Sequence, residues 1–226
     1  MQHIHVMSWV ESAYRGAIDV LLGVRCLGCG SSGSAWCFAC VHDASAPRTR
    51  SDGRVRINAA ARYRGEVATA INAHKERGHL TLSEPLGLLL AAAVLGHVGP
   101  GDPVRIVPCP SSRQAVKLRG QDHAHRLASS AARWIHRAGT SHHPHAVVLP
   151  LLHQRQGVRD QVGLSPSERL VNMRDALTSV SDGAGQRVII VDDITTSGAT
   201  LRAAAEALET AGWSVRGAAV VADAHA

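Results

Sequence analysis

Short uninterrupted apolar runs alternate along this chain with longer stretches in which apolar residues recur at helical spacing. Val104 to Pro108, Ala146 to Leu152, Arg187 to Val191 and Val215 to Val221 read as strands. Val67 to His74, Leu80 to Leu95, Gln121 to Arg137 and Leu201 to Ala211 read as helices, with another expected from Pro166 to Leu177. Strands alternating with helices predict an α/β fold: a mainly parallel sheet, flanking helices, and binding loops at the carboxyl edge. Val188 to Val191 is apolar throughout, as suits a strand covered on both faces. Ile4 to Val24 carries Ile4, Met7, Val10, Ala13, Tyr14, Ala17, Ile18 and Leu21 at helical spacing, which predicts an amphipathic amino-terminal helix. Ala44 to Val55 is polar and contains Pro47, so it reads as a linker. The chain thus divides into 1–45 (helix and a cysteine-bearing segment), 46–59 (linker) and 60–226 (main domain).

Composition narrows this picture. A chain of 226 residues, 45% apolar, accommodates one full α/β domain with a small appendage. Only 3% of residues are aromatic, so the core must come from Val, Leu, Ile and Ala. The formal charge of +6 rests on 22 arginines and just two lysines, Lys75 and Lys117. Arginine grips phosphate in a bidentate manner, which favours phosphorylated partners, although charge alone does not establish nucleic-acid binding. No segment reaches the roughly 20 apolar residues of a membrane span. No basic leader precedes an uninterrupted apolar run at the amino end, so the expectation is a cytoplasmic protein.

Four of the five cysteines form two pairs, Cys26 with Cys29 and Cys37 with Cys40, separated by seven residues. Each pair can chelate an ion through a turn, and the compact return between them favours one tetrahedral zinc held by four thiolates. Four protein ligands leave no open position, so such a zinc is structural. Two disulfides are the alternative, disfavoured by the clustered spacing and by a reducing compartment.

The densest chemistry lies at Val188-Ile189-Ile190-Val191-Asp192-Asp193-Ile194-Thr195-Thr196-Ser197-Gly198-Ala199-Thr200. A strand ends at an acidic pair, and a turn of small residues then opens a helix. Backbone N–H groups at a helix N-terminus hold an anion, Gly198 permits close approach, and the Thr and Ser hydroxyls add donors. Asp192 and Asp193 suit vicinal hydroxyls, or water around a divalent ion, and a ribose 5-phosphate satisfies both halves. An Asp-capped turn with no ligand is the plainer alternative. Neither a Gly-Lys-Ser/Thr loop nor a Gly-x-Gly-x-x-Gly fingerprint is present.

A second loop, Pro108-Cys109-Pro110-Ser111-Ser112-Arg113, also follows a strand and in a parallel sheet opens on the same crevice. Ser111 and Arg113 are its candidate pyrophosphate contacts, while Cys109 reads as a small packed residue. Lys117 and Arg119, beside Gly120, are candidates to stabilise charge on departing pyrophosphate, the alternative being a solvated basic loop. His142, His143 and His145 read as a solvated loop.

The acidic-pair segment resembles the phosphoribosyl pyrophosphate signature of type I phosphoribosyltransferases. The resemblance implies that Asp192 and Asp193 contact ribose hydroxyls and that Thr195, Thr196, Ser197, Gly198, Ala199 and Thr200 wrap the 5'-phosphate. From Arg25 onward the chain resembles the ComF/GntX family, a zinc-knuckle-bearing branch of that fold. The shared features are the two Cys pairs, Tyr63-Arg64-Gly65, Lys75-Glu76-Arg77-Gly78, the Pro108 loop, Leu118 to Asp122, Gln161 to Ser165 and Arg169 to Asn172. This implies a type I phosphoribosyltransferase-like domain with an amino-terminal helix and a four-cysteine zinc knuckle, Lys75 as a basic contact near the cleft, and Gln161, Arg169 and Asn172 ordering the segment that faces it. One departure is that Gln121-Asp122 replaces the family's usual Phe-Asn. The implied ligand is phosphoribosyl pyrophosphate with Mg²⁺, and Asp192, Asp193, Lys117 and Arg119 are the candidate catalytic residues. The implied role is single-stranded DNA uptake in natural transformation, alongside a competence helicase and recombination mediators. The alternatives are an active phosphoribosyltransferase of unknown acceptor and a zinc-knuckle adaptor.

Overall fold

The computed structural model describes residues 23–76, 78–99, 101–111, 116, 120, 122–138, 146–154 and 177–225. Its main sheet joins β1 (Arg48–Ser51), β2 (Arg56–Arg62), β3 (Arg105–Pro108), β4 (Val147–Val148), β7 (Arg187–Thr195) and β8 (Ser214–Asp223) in the order β1-β2-β8-β7-β3-β4. Each neighbouring pair is parallel except β1 with β2. β5 (Leu152–Gln154) and β6 (Leu177–Ser179) form a separate antiparallel pair. The helices are α1 (Phe38–Ala44), α2 (Gly65–Glu76), α3 (Ser83–Leu95), α4 (His123–Ala138) and α5 (Ala199–Thr210). This is the α/β architecture with a largely parallel sheet and flanking helices that the alternating pattern predicts.

Successive side chains leave a strand on opposite faces, so the apolar run of β7 feeds two cores. Ile189 and Val191 pack with Ile71 of α2, Leu86 and Leu90 of α3 and Leu127 of α4. Val188 and Ile190 pack with Leu201, Ala204 and Leu208 of α5. Small residues replace aromatic bulk by letting elements approach: a Cβ added at Gly87 of α3 would lie 2.4 Å from the Cβ of Ser130 on α4.

The cysteine-bearing segment is docked on this body. Cys26, Trp36 and Val41 of α1 are buried in the same core as Ala60, Val67 and Leu86.

Three expectations change. Residues 46–59, read as a linker, supply β1 and the first four residues of β2. β1 lacks an apolar face because its inward residues, Arg48 and Arg50, bond His225 O and Asp223 instead; β2 is Ala-rich and buried from Ile57 to Ala61. Ala146 to Leu152 is not one strand: β4 ends at Val148, and Leu152 starts β5 in the other sheet. The strand before the acidic pair does not stop there, since β8 continues to Asp223 and pairs β7 through Thr195. Residues 4–22 of the expected amino-terminal helix and 166–176 of the helix expected before β6 lie outside the described residues. Among those described, no helix is long and apolar enough to cross a membrane.

Candidate functional site

Because β2, β8, β7 and β3 run parallel, their carboxyl ends meet along one edge. Arg62, Asp223, Thr195 and Pro108 mark it. Since β7 continues through the acidic pair, its alternation sends Asp192 to the α5 face and Asp193 to the face of α2 and α4.

Asp193 is buried and anchored. Its Oδ1 accepts the Ile194 N–H at 2.8 Å and a longer bond from Lys75 Nζ at 3.4 Å. Its Oδ2 lies 3.0 Å from Lys75 Nζ and 3.3 Å from His123 Nε2, neither aligned as a hydrogen bond. Burial opposes ionisation here, yet the His123 and Lys75 contacts hold the carboxyl well below the usual carboxylate range. Asp192 is half-buried, and its Oδ1 accepts the Asp193 N–H at 2.8 Å. Burial and the adjacent Asp193 charge push it well above that range. Cys109 lies beside the pair, buried, and burial with the two carboxylates drives its thiol far up. It is a protonated packing residue, not a nucleophile.

The turn after β7 is held from several directions. Arg50 of β1 donates through Nη2 to Thr196 O at 2.9 Å and Thr195 Oγ1 at 3.2 Å, and through Nε to the buried Asp223 at 3.0 Å. Arg202 of α5 donates through Nη1 to Ser197 O and to Asp52 Oδ2, both at 3.0 Å. Thr195 O accepts Ala224 N–H at 2.8 Å, and Gly198 O accepts Arg202 N–H at 2.9 Å. Gly198 has φ 75°, and a Cβ there would stand 2.9 Å from Asp52 Oδ2, so backbone and space both require glycine. Thr196, Ser197 and Thr200 are exposed, Ala199 is half-exposed, and Thr195 and Gly198 are buried.

On the opposite wall, Ser111 Oγ donates to Asp122 Oδ1 at 3.0 Å and lies 3.1 Å from His123 Nδ1. Asp122 Oδ1 also accepts Ala124 N–H at 3.1 Å and His125 N–H at 3.3 Å, and so caps α4. The carboxylate at 122 is therefore an anchor for Ser111 and for the helix start. His123 then bridges Ser111 to Asp193. Behind it, burial, with His123 and Arg126 nearby, lowers His74 to about 4, and its Nε2 lies 3.0 Å from Ser83 Oγ.

The four cysteines of the knuckle converge, their Sγ atoms all within 4.8 Å of one another. A tetrahedron of thiolates around zinc has S···S edges of about 3.8 Å, the separation of Cys29 Sγ from Cys37 Sγ at 3.8 Å. Cys26 Sγ accepts the Cys37 N–H at 3.3 Å. The Ser31 hydroxyl lowers Cys29 to about 6, whereas Cys37 and burial push Cys40 up to about 12. A thiolate at one corner thus resists ionisation at another, and a cation removes that conflict.

Lys75, Ser111, Asp192, Asp193 and the turn from Thr195 to Thr200 therefore gather at one edge. Arg113, Lys117 and Arg119 lie outside the described residues, as do Gln121, Gln161, Arg169, Asn172, His142, His143 and His145. Sequence reading missed Arg50, Asp52, His123, Arg202 and Asp223. Only Asp223, at the end of the last strand, carried a local signal.

No curated protein matches this chain. Residues 133–226 match the family model of the phosphoribosyl transferase domain, a span that includes Asp192, Asp193 and the 195–200 turn. The chain therefore carries a phosphoribosyltransferase-fold domain joined to a four-cysteine cluster able to chelate a metal.

Proposed function

We propose that the protein binds phosphoribosyl pyrophosphate, or a ribose 5-phosphate group, at the carboxyl edge of its sheet. The observation that carries this reading is the Gly198-centred turn at the start of α5 with Asp192 on the same face of β7. The turn offers donors to the 5'-phosphate and Asp192 offers an acceptor to the ribose hydroxyls. Ser111 is assigned to pyrophosphate together with Arg113, Lys117 and Arg119, all four from the sequence, and its position at the carboxyl end of β3 supports that assignment. Mg²⁺ carried in with the ligand would neutralise charge on the leaving group, and Asp192 is the carboxylate offered to its water. Zinc is the metal assigned to Cys26, Cys29, Cys37 and Cys40.

Calorimetry with phosphoribosyl pyrophosphate and with ribose 5-phosphate, each with and without Mg²⁺, tests the site. Binding should be seen for the parent and lost in the Asp192→Asn variant; unchanged heats in that variant would reject the assignment. Pyrophosphate release with candidate acceptors tests transfer separately.

A second reading, single-stranded DNA handling of the ComF kind, is favoured by Arg62 and Arg64, exposed at the same edge. The expected affinity weakens as salt rises, through counterion release, and falls in an Arg62→Ala, Arg64→Ala double variant. A salt-insensitive signal, or none, leaves the small-ligand reading standing alone.

A further inference from the structure

The turn from Thr195 to Ala199 has an uneven hydrogen-bond account. Its four consecutive carbonyls, Thr195 O, Thr196 O, Ser197 O and Gly198 O, are all engaged, by Ala224 N–H, Arg50, Arg202 and the Arg202 N–H respectively. Among the described residues, no acceptor takes the N–H of Thr196, Ser197 or Gly198. A trans peptide is planar, with C=O and N–H pointing in opposite directions. Pinning Thr196 O therefore aims the Ser197 N–H away from β1, and pinning Ser197 O aims the Gly198 N–H away from the Arg202 side chain.

Each arginine is itself fixed by a carboxylate. Arg50 Nε is 3.0 Å from Asp223, whose side chain is only 3% exposed. Arg202 Nη1 is 3.0 Å from Asp52, whose side chain is 5% exposed and whose Oδ1 accepts Val55 N–H at 2.8 Å and Arg54 N–H at 3.2 Å. A guanidinium has several donors in a rigid fork, so Arg50 can hold Asp223 with one nitrogen and the turn with another; an ammonium concentrates its donors at one point.

We infer that Arg50 and Arg202 are positioning residues that brace the turn from behind and aim the Ser197 and Gly198 amides at an anion. The brace is assembled by the β1–β2 hairpin and the end of β8 on one side and by α5 on the other. It rests on the ribose 5-phosphate reading, and it gives the hairpin a role beyond extending the sheet.

The test uses the full chain, ribose 5-phosphate as the probe, calorimetry for affinity and ¹⁵N–¹H spectra for individual amides. Arg50→Ala and Arg202→Ala should each weaken binding about tenfold, the equivalent of losing one charge-assisted orienting contact. On adding ligand, the Ser197 amide shift should shrink in Arg50→Ala and the Gly198 shift in Arg202→Ala, a crossed pattern that general loosening does not produce. Arg54→Ala removes a neighbouring hairpin charge paired with Glu209 and should bind like the parent. Arg50→Lys keeps the charge and protects against misfolding of the alanine variant, and it should bind nearer to Arg50→Ala than to the parent. A parent that binds ribose 5-phosphate while Arg50→Ala, Arg50→Lys and Arg202→Ala stay within twofold overturns the brace alone. A parent that does not bind overturns the functional reading and the brace with it.

Discussion

Asp192 and Asp193 are adjacent and chemically alike, yet the strand places them in opposite electrostatic settings. Asp193 is ionised against Lys75 and His123, whereas Asp192 is pushed towards its neutral form by burial and by Asp193. Asp193→Asn leaves a half-buried lysine without its counter-ion and should lower stability by about 3 kcal/mol at neutral pH. Asp192→Asn removes a charge that folding disfavours, so it should raise the melting temperature while abolishing ligand binding, the trade expected of a binding group held ready at a cost. The signs of the pH dependence differ. Asp193 has a folded pKa below its unfolded value of about 3.9, so its contribution is present above that value and is lost as pH falls through the depressed one. Asp192 has a raised folded pKa, so its contribution is present below the unfolded value and is lost as pH rises through the raised one. Melting temperatures of the two variants should therefore depart from the parent in opposite directions at pH 7, and towards pH 3 the Asp192→Asn value should merge with the parent's while the Asp193→Asn value stays below it, because Asp193 remains ionised there. Parallel displacement across that range would contradict the assignment.

At the scale of elements, α3 and α4 depend on Gly87 meeting Ser130, where an added Cβ would approach the Ser130 Oγ to 2.3 Å. Gly87→Ala should destabilise the protein by about 2 kcal/mol through overpacking, and Ser130→Gly in the same chain should recover part of the loss. Urea unfolding of the single and double variants measures both, and additive losses would refute the contact. The apolar stretch Leu86 to Leu95, too short for a membrane span, made α3 legible as a buried helix, and the unbroken run Val188 to Val191 made β7 legible as a strand. The close approach between helices was not legible, because glycine at 87 differs from any tolerated helical glycine only through a residue 43 positions later. β1 was hidden for a related reason. Its alternation is Arg48, Thr49, Arg50, Ser51, with the arginines half-buried and the Thr and Ser exposed, so the inward face is itself polar and a strand reading based on apolar alternation passes over it. The site divides in the same way. Asp192, Asp193 and the turn to Thr200 are contiguous, so one motif exposes them; Arg50 reaches Thr195 across 145 residues, and nothing local marks that contact. The Arg50 brace needs the hairpin register, in which Arg50 faces Ile57 across the pair.

Across the whole molecule, the knuckle and the sheet share one core. Cys26 is both a member of the thiol cluster and, with Trp36 and Val41, part of the apolar body that includes Val67 of α2 and Leu86 of α3. A metal at the cluster therefore acts on the cooperative unit, since any cation that binds the folded cluster more tightly than the unfolded chain stabilises everything that unfolds with it. The purified protein should contain one zinc per chain, and stripping it with a chelator should lower the melting temperature of the main transition by about 10 °C, the shift expected for roughly 4 kcal/mol of linkage in a domain of this size. Acidification should release the same zinc, because protons and metal compete for four thiolates. Calorimetric scans of loaded and stripped protein decide the point. A single transition that moves shows that the knuckle unfolds with the sheet. An unmoved main transition with a new low-temperature step would mean that the shared core around Cys26 and Trp36 does not couple them.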